Sequence, residues 1–317
     1  MSRVNQTTVS GAEPVLITGA NGQLGRRLIE RFARCDPPVR ARAVVRSQRA
    51  AASLDDLHES AGLERVVLDY RDEAALTEAA RGCRHAVHLV GIIKEGSNSR
   101  YEDAHEASSR AIASAAAAAG LHRVVYLSIL GANPASNNPC LGSKGRAEQI
   151  LLESKTPALI LRVPMVLGPG DATSRIVRAE AQARLLPLMG GGSSRAQPIY
   201  ADDVIEAIVA GTSRADLDDV SLDLAGPESL PQRELIERAA SLYGRRPRVV
   251  AIPPRVLGWL AGLAERLMAN PPFTRSSLEV IHEDDDVDPE SARRRLGIEL
   301  TPLDEILRRC VGPEAPR

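Results

Sequence analysis

The chain has 317 residues, 44% of them hydrophobic and 26% charged, with a formal net charge of −1. That is long enough for one large domain or a domain with a smaller partner, and its balance is that of a water-soluble globular protein. The near-zero charge and 3% aromatics argue against nucleic acid, which demands a basic face or stacking platforms.

The polar opening, MSRVNQTTVSGAE, lacks the apolar core of a signal peptide. Cys35, Cys83, Cys140 and Cys310 are dispersed, with no CxxC pair, as expected of reduced thiols in a cytoplasm. RVLGWLAGLAERLMAN is too short and too charged for a transmembrane segment and reads as an amphipathic or core helix.

From residue 14 onward short apolar runs alternate with helical stretches. Strands are expected at Val15–Thr18, 39–46, 65–69, 85–91, 123–128 and 158–164. Helices are expected at Leu24–Ala33, in RAAASLDDLHESA, in DEAALTEAARG, from Tyr101 to a cap at Gly120, and in SKGRAEQILLES. Such a series predicts a doubly wound parallel sheet covered on both faces. Past Pro164 the rhythm loosens into two glycine-rich loops flanking a basic helix. The helix YADDVIEAIVAG, a strand in DVSLDLAGPE and a mainly helical, proline-bearing remainder follow. The expected division is a dinucleotide-binding domain over 13–170, completed by 197–225, with a smaller helical substrate lobe from 171–196 and 226–317.

The first strand runs directly into Gly19, Gly22 and Gly25, a GxxGxxG that opens a helix. Gly19 permits the tight turn, Gly22 lets backbone approach a pyrophosphate, and Gly25 lets helix and strand lie close. The amides of the helix start then face the phosphates. At the end of the second strand stands Arg46, where an acid would bind a ribose 2′-hydroxyl. A guanidinium there favours a 2′-phosphate, hence NADP(H) over NAD(H), the plain alternative being a solvated surface arginine.

TGANGQLG, LDYRD, HLVGI, YLSILGAN, LRVPMVLGPGD, PIYADDVIEAI and DLAGPESLPQREL, in that order, resemble the landmarks of the short-chain dehydrogenase/reductase superfamily. LGAN…KGRAE and GPGD are most similar to the atypical group around the nucleotide-binding accessory subunit of respiratory complex I. The resemblance implies that Asn21, Gln23 and Leu24 join the three glycines in binding the cofactor. It implies that Asp69, beside Tyr70, meets the adenine amino group, that Val90 and Gly91 flank the cofactor, and that Pro164 and Val166 lie along the nicotinamide. Ser128 stands at the family's active-site serine and Lys144 at its lysine. Four residues before Lys144 the family's tyrosine is replaced by Cys140, and HLVGI keeps only the glycine of the usual Asn-Ala-Gly turn.

That replacement bears on chemistry, because the superfamily pairs the lysine with a phenol that exchanges a proton as hydride moves. Cys140 is either a surrogate acid, its pKa lowered by Lys144, or a small filler in a site whose relay is gone, and no other tyrosine is expected to compensate. Lys144 needs only its charge and donors to hold the nicotinamide ribose. The expected activity is that of an NAD(P)H-dependent oxidoreductase, a reductase of a small, fairly apolar substrate without the Tyr-Lys relay. The alternatives are a nucleotide-bound structural or redox-sensing subunit with a protein assembly partner, and a sugar-nucleotide epimerase or dehydratase. His282 with the aspartates of IHEDDDVDPE is a weaker candidate for a metal site than for a helix cap at Asp288-Pro289. Arg162 faces either a substrate acid or a neighbouring carboxylate, and His85, His88 and His105 read as packed or solvated histidines.

Overall fold

The computed structural model describes residues 13–57, 62–97, 99–268, 271 and 274–316. The end of the second expected helix and the polar start lie outside them. In chain order the first half holds β1 (Val15–Thr18), α1 (Gln23–Ala33), β2 (Ala41–Val45), α2 (Gln48–Ala52), β3 (Leu63–Val67), α3 (Glu73–Ala80) and β4 (His85–His88). A π-helical turn, Glu102–Ala107, leads into α4 (Ser108–Ala119), then come β5 (Arg123–Ile129), α5 (Pro139–Leu152), β6 (Ala158–Val163) and β7 (Val166–Leu167). The second half holds α6 (Ala172–Gln182), β8 (Leu185–Met189), β9 (Arg195–Ala196), β10 (Ile199–Tyr200), α7 (Ala201–Ser213), β11 (Val220–Asp223), β12 (Leu230–Pro231) and α8 (Gln232–Ser241). It ends with β13 (Arg248–Ile252), α9 (Pro254–Leu267), α10 (Arg275–Ile281), α11 (Pro289–Leu296) and α12 (Leu303–Cys310).

Seven parallel strands form the main sheet in the order β11-β6-β5-β4-β1-β2-β3. The central strands β1, β4, β5 and β6 are almost wholly buried because both faces of the sheet are covered, while the edge strands β3 and β11 are partly exposed. On one face Ile17, Val45, Val87 and Leu161 pack with Leu28, Phe32, Val204 and Ile208 of α1 and α7. On the other, Leu16, Val44, Tyr126 and Ile160 meet Leu76, Ile112, Ala147 and Leu151 of α3, α4 and α5. The alanine run of α4 is packed there, with Ala111, Ala113, Ala115 and Ala116 buried, and the helix stops at left-handed Gly120 as expected. The sheet order reverses between β1 and β4, so the loops after those strands part and leave a crevice at their carboxyl ends.

Two departures from the expected pattern matter. α5 starts at Pro139, four residues earlier than read, because the Asn138 side chain caps it and proline suits the first turn. Cys140 is therefore helical. Leu185–Met189, expected as the end of the basic helix and the start of the second glycine-rich loop, is a strand paired in parallel with Arg248–Ile252 of the expected helical remainder. A third core, with Leu186, Leu188, Leu235, Ile236, Leu303 and Ile306, sits among α6, α8, α12 and this ribbon.

Candidate functional site

At the mouth of the crevice the Gly19 φ of +73° turns the chain, and a Cβ there would lie 3.2 Å from the Leu89 carbonyl. Gly22 caps α1 with extended backbone, no side chain takes the first-turn amides, and no acid stands in that turn. The arrangement leaves the first-turn amides of α1 without a side-chain cap, as an anion site requires. A cleft of about 290 Å³ continues from here, lined by Gly19, Asn21, Gly22, Arg46, Asp69, Tyr70 and the Leu89–Ile92 loop, among others.

Tyr70 ties its walls together. Its hydroxyl accepts from the Gly19 amide at 3.2 Å and donates to the Val44 carbonyl at 3.3 Å. Over its ring, at 5.9 Å, sits the Arg46 guanidinium, which has no hydrogen bond or ion pair among the described residues. Asp69 is gripped by Arg71 at 2.7 Å, and that contact holds its carboxyl down at about 2. Arg71 also reaches Asp103 at 3.0 Å, so Asp69 meets the cleft as a braced carboxylate.

The inner end is built on α5. Lys144 is buried; its ammonium donates to the Leu127 carbonyl at 2.9 Å and stands 4.5 Å from the Tyr126 ring centroid. Gly91 borders it so closely that a Cβ would lie 3.0 Å from Nζ. Burial lowers the Lys144 pKa to about 8. On either side stands a buried neutral imidazole. Nε2 of His105 accepts from the Ile92 amide at 3.1 Å, so its proton is on Nδ1 and goes to Ser143 Oγ, 2.8 Å away. Ser143 in turn donates to the Cys140 carbonyl at 2.9 Å. His88 accepts from Thr18 Oγ1 at 2.6 Å and donates to Ser108, whose hydroxyl donates to Ala104. Burial, then the Lys144 charge, holds both rings down at about 3.

Cys140 is fully buried, its thiol donating to the Ile92 carbonyl at 3.7 Å. Burial pushes that thiol up to about 11 in spite of Lys144, opposite to the shift a surrogate acid needs. A phenol does approach it, contrary to expectation. Tyr101, at the head of the π turn, lies against the thiol and donates to the Ile93 carbonyl at 2.6 Å. Burial raises it to about 12. No spacing rule links Tyr101 to Lys144, because a different element brings it in.

Ser128 Oγ is buried beside Leu127, whose carbonyl anchors Lys144, and has no hydrogen-bond partner among the described residues. Pro164 and Val166 follow β6, half-buried, and Val166 pairs with Ile199. Arg162 is accounted for by carboxylates: it grips buried Glu148 at 2.6 Å and lies 3.6 Å from Asp223. The acidic run is likewise engaged within the protein. Asp284 accepts from the Arg195 amide, Asp286 lies 3.5 Å from the Arg195 side chain, and Asp288 caps α11. Among the described residues no group of His, Cys, Asp or Glu is placed to hold a metal. A dinucleotide fits what lines the crevice: a turn held tight at positive φ by Gly19, a helix start with no side-chain cap, and the Arg46 guanidinium, which is unpaired among the described residues.

A family profile described as NAD(P)H-binding matches residues 19–197. The mitochondrial NADH dehydrogenase (ubiquinone) 1 alpha subcomplex subunit 9 of Arabidopsis thaliana is 28% identical over 88% of this chain and 70% of its own. A ceramide reductase of Caulobacter vibrioides is 30% identical over 75% of this chain and 73% of its own. Among solved structures, the triphenylmethane reductase of Citrobacter sp. complexed with NADP(H) superposes with a TM-score of 0.73 at 17% identity. That likeness covers 93% of this chain and 99% of the other, and it concerns the fold.

Proposed function

Because the chain belongs to the NAD(P)H-binding family, we propose that it is an NADP(H)-dependent reductase of a small, fairly apolar molecule that works without a Tyr-Lys relay. The observation that carries this reading is Lys144, a buried ammonium with a pKa of about 8 beside Gly91 at the inner end of the crevice. At neutral pH it is charged enough to hold ribose hydroxyls and acidic enough to give up a proton. The reduced cofactor supplies hydride. Lys144, or water held by it, supplies the proton, and Ser128 offers its unpaired hydroxyl to the substrate oxygen. Arg46 would take the 2′-phosphate, its guanidinium seated on Tyr70 with both donor edges free. The C-terminal lobe, as divided above, would shape an apolar substrate site, and the relative named for reducing ceramide supports such a substrate.

A second reading is favoured by Cys140. A thiol with a pKa of about 11 donates no proton usefully at neutral pH, and the 28% identical relative is a subunit of a larger dehydrogenase. This chain would then bind nucleotide as a structural or redox-sensing subunit within an assembly. Neither reading uses an epimerase relay. NADPH oxidation by the purified protein, screened against carbonyl and enone panels, separates them. Turnover lost in Lys144→Met supports the reductase; tight NADPH binding with no turnover across the panels supports the subunit.

A further inference from the structure

α9 is an amphipathic helix turned inside out. Its buried residues are Ala261 and Gly262, with the Arg275 side chain of α10 packed beneath Gly262 and donating to the Gly258 carbonyl at 3.0 Å. Glu265 lies on that side by helical spacing and, though exposed, is engaged there, accepting from the Arg275 amide at 2.7 Å. Val256, Trp259, Leu260, Leu263 and Leu267 recur at helical spacing on the opposite side and project into solvent, Trp259 63% and Leu267 75% exposed. The charges bordering this stripe are Arg255 and Arg266, one near each end, both on the Trp259 flank by helical spacing. Neither has an ion-pair partner among the described residues.

We propose that this face docks on an anionic lipid bilayer, with α9 lying in the plane of the interface. Two features select that occupant. The stripe is flanked by positive charge alone, Glu265 lying on the opposite side by helical spacing and engaged by the Arg275 amide, which complements a surface carrying negative headgroups. Its extent is also small. A 14-residue helix is about 21 Å long, so one exposed side covers roughly 200 Å², against about 800 Å² per partner in a stable protein interface. A shallow apolar insertion needs only one such stripe, and a length of 14 residues lies on a membrane without crossing it. α9 packs on α10, and α10 packs on α5 beside Asn138, whose amide donates to Ser276 at 3.0 Å and Glu279 at 2.8 Å. Docking would therefore bring the helix carrying Cys140 and Lys144 close to the bilayer, a convenience for an apolar substrate that rests on the reductase reading. The docking itself does not.

The test uses the full chain, without cofactor, and vesicles of phosphatidylcholine with or without 30 mol% phosphatidylglycerol. Trp259 is the only tryptophan of the chain, so its fluorescence reports this face directly. Expected are co-sedimentation with the anionic vesicles, a blue shift of the emission, and at least tenfold weaker binding to pure phosphatidylcholine. Leu263→Glu with Leu267→Glu should abolish both signals, and Arg255→Glu with Arg266→Glu should weaken anionic binding at least tenfold while leaving the apolar stripe intact. All four residues point away from the body, and unchanged thermal melts would confirm intact folding. Absence of a blue shift with anionic vesicles overturns the proposal. So does a vesicle-free dimer that the Leu263→Glu/Leu267→Glu pair dissolves, since the face would then belong to a second copy.

Discussion

Arg46 and Lys144 mark the two ends of the crevice, and each makes a measurable statement. Arg46 has no hydrogen bond or ion pair to lose among the described residues, only its seat on the Tyr70 ring, so its replacement disturbs the fold little and tests the cofactor. A charge-assisted bidentate contact to a 2′-phosphate contributes about 1.5–3 kcal/mol, so Arg46→Ala should weaken NADPH binding about 10- to 100-fold. NADH affinity should hardly change. Calorimetry with both dinucleotides decides it, and an equal loss for both would remove Arg46 from 2′-phosphate recognition. Lys144 is different because its burial is costly. Its folded pKa of about 8 lies below the usual 10.5, so the unfolded chain binds more protons between those values and stability rises with pH across that window. Below pH 8 the full penalty, about 3 kcal/mol, is present. Lys144→Met should therefore raise the melting temperature at pH 7 and lose that advantage by pH 10.5, while weakening dinucleotide binding at both. A variant less stable at pH 7 would show that the ammonium is a net structural asset.

At the scale of elements, the β1-α1 unit depends on contact too close for a side chain. A Cβ on Gly25 would sit 2.5 Å from the Ala20 carbonyl oxygen, so Gly25→Ala must push α1 away from the turn. Overpacking of this kind costs about 1–3 kcal/mol, and here it also displaces the amides that face the phosphates. Expected are a lower melting temperature and a larger fractional loss of dinucleotide affinity than of stability; an unchanged melt would refute the close-packing role. This unit was legible in the sequence because its requirement is local: three glycines between an apolar run and a helix pattern. The β-strand spacing and the Gly120 cap were legible for the same reason. Tyr101 was not. It reaches Cys140 through a π turn between β4 and α4, and nothing in the residues around either one encodes that meeting. Cys140 invited a lowered pKa on the strength of Lys144 four residues on. Burial decides the opposite sign, with the Ile92 carbonyl and Tyr101 brought against the thiol by elements that a helical spacing cannot show.

Across the whole molecule, the parts left unread are those made by distant pairing. Leu185–Met189 and Arg248–Ile252 are about sixty residues apart, and only their ribbon explains the alternating burial of Leu186 and Leu188. Asp203 of α7 accepts from the Thr301 amide at 2.7 Å and hydroxyl at 2.8 Å, tying the sheet domain to the chain's end. A structure joined this way should respond to acid as a unit, and the trigger lies in and beside β4. His85 is held down at about 4, and His88 and His105 at about 3, each first by burial. With folded values below the usual 6.5, each contributes stability that is complete above pH 6.5 and disappears as pH falls toward its folded value. Asp285 works against them, because burial raises it to about 6, so the folded state gains one proton from it over the same range. Three imidazoles less one carboxylate leave about two excess protons in the unfolded chain, or about 3 kcal/mol per pH unit at the steepest. Denaturant unfolding at half-unit steps from pH 7 to 4.5 should show that decline. In His105→Gln the loss between those limits should shrink by about half relative to the variant's own value at pH 7, since one of about two net excess protons is gone. Stability flat down to pH 4.5, in either protein, would mean these rings are solvated and titrate normally in the folded chain.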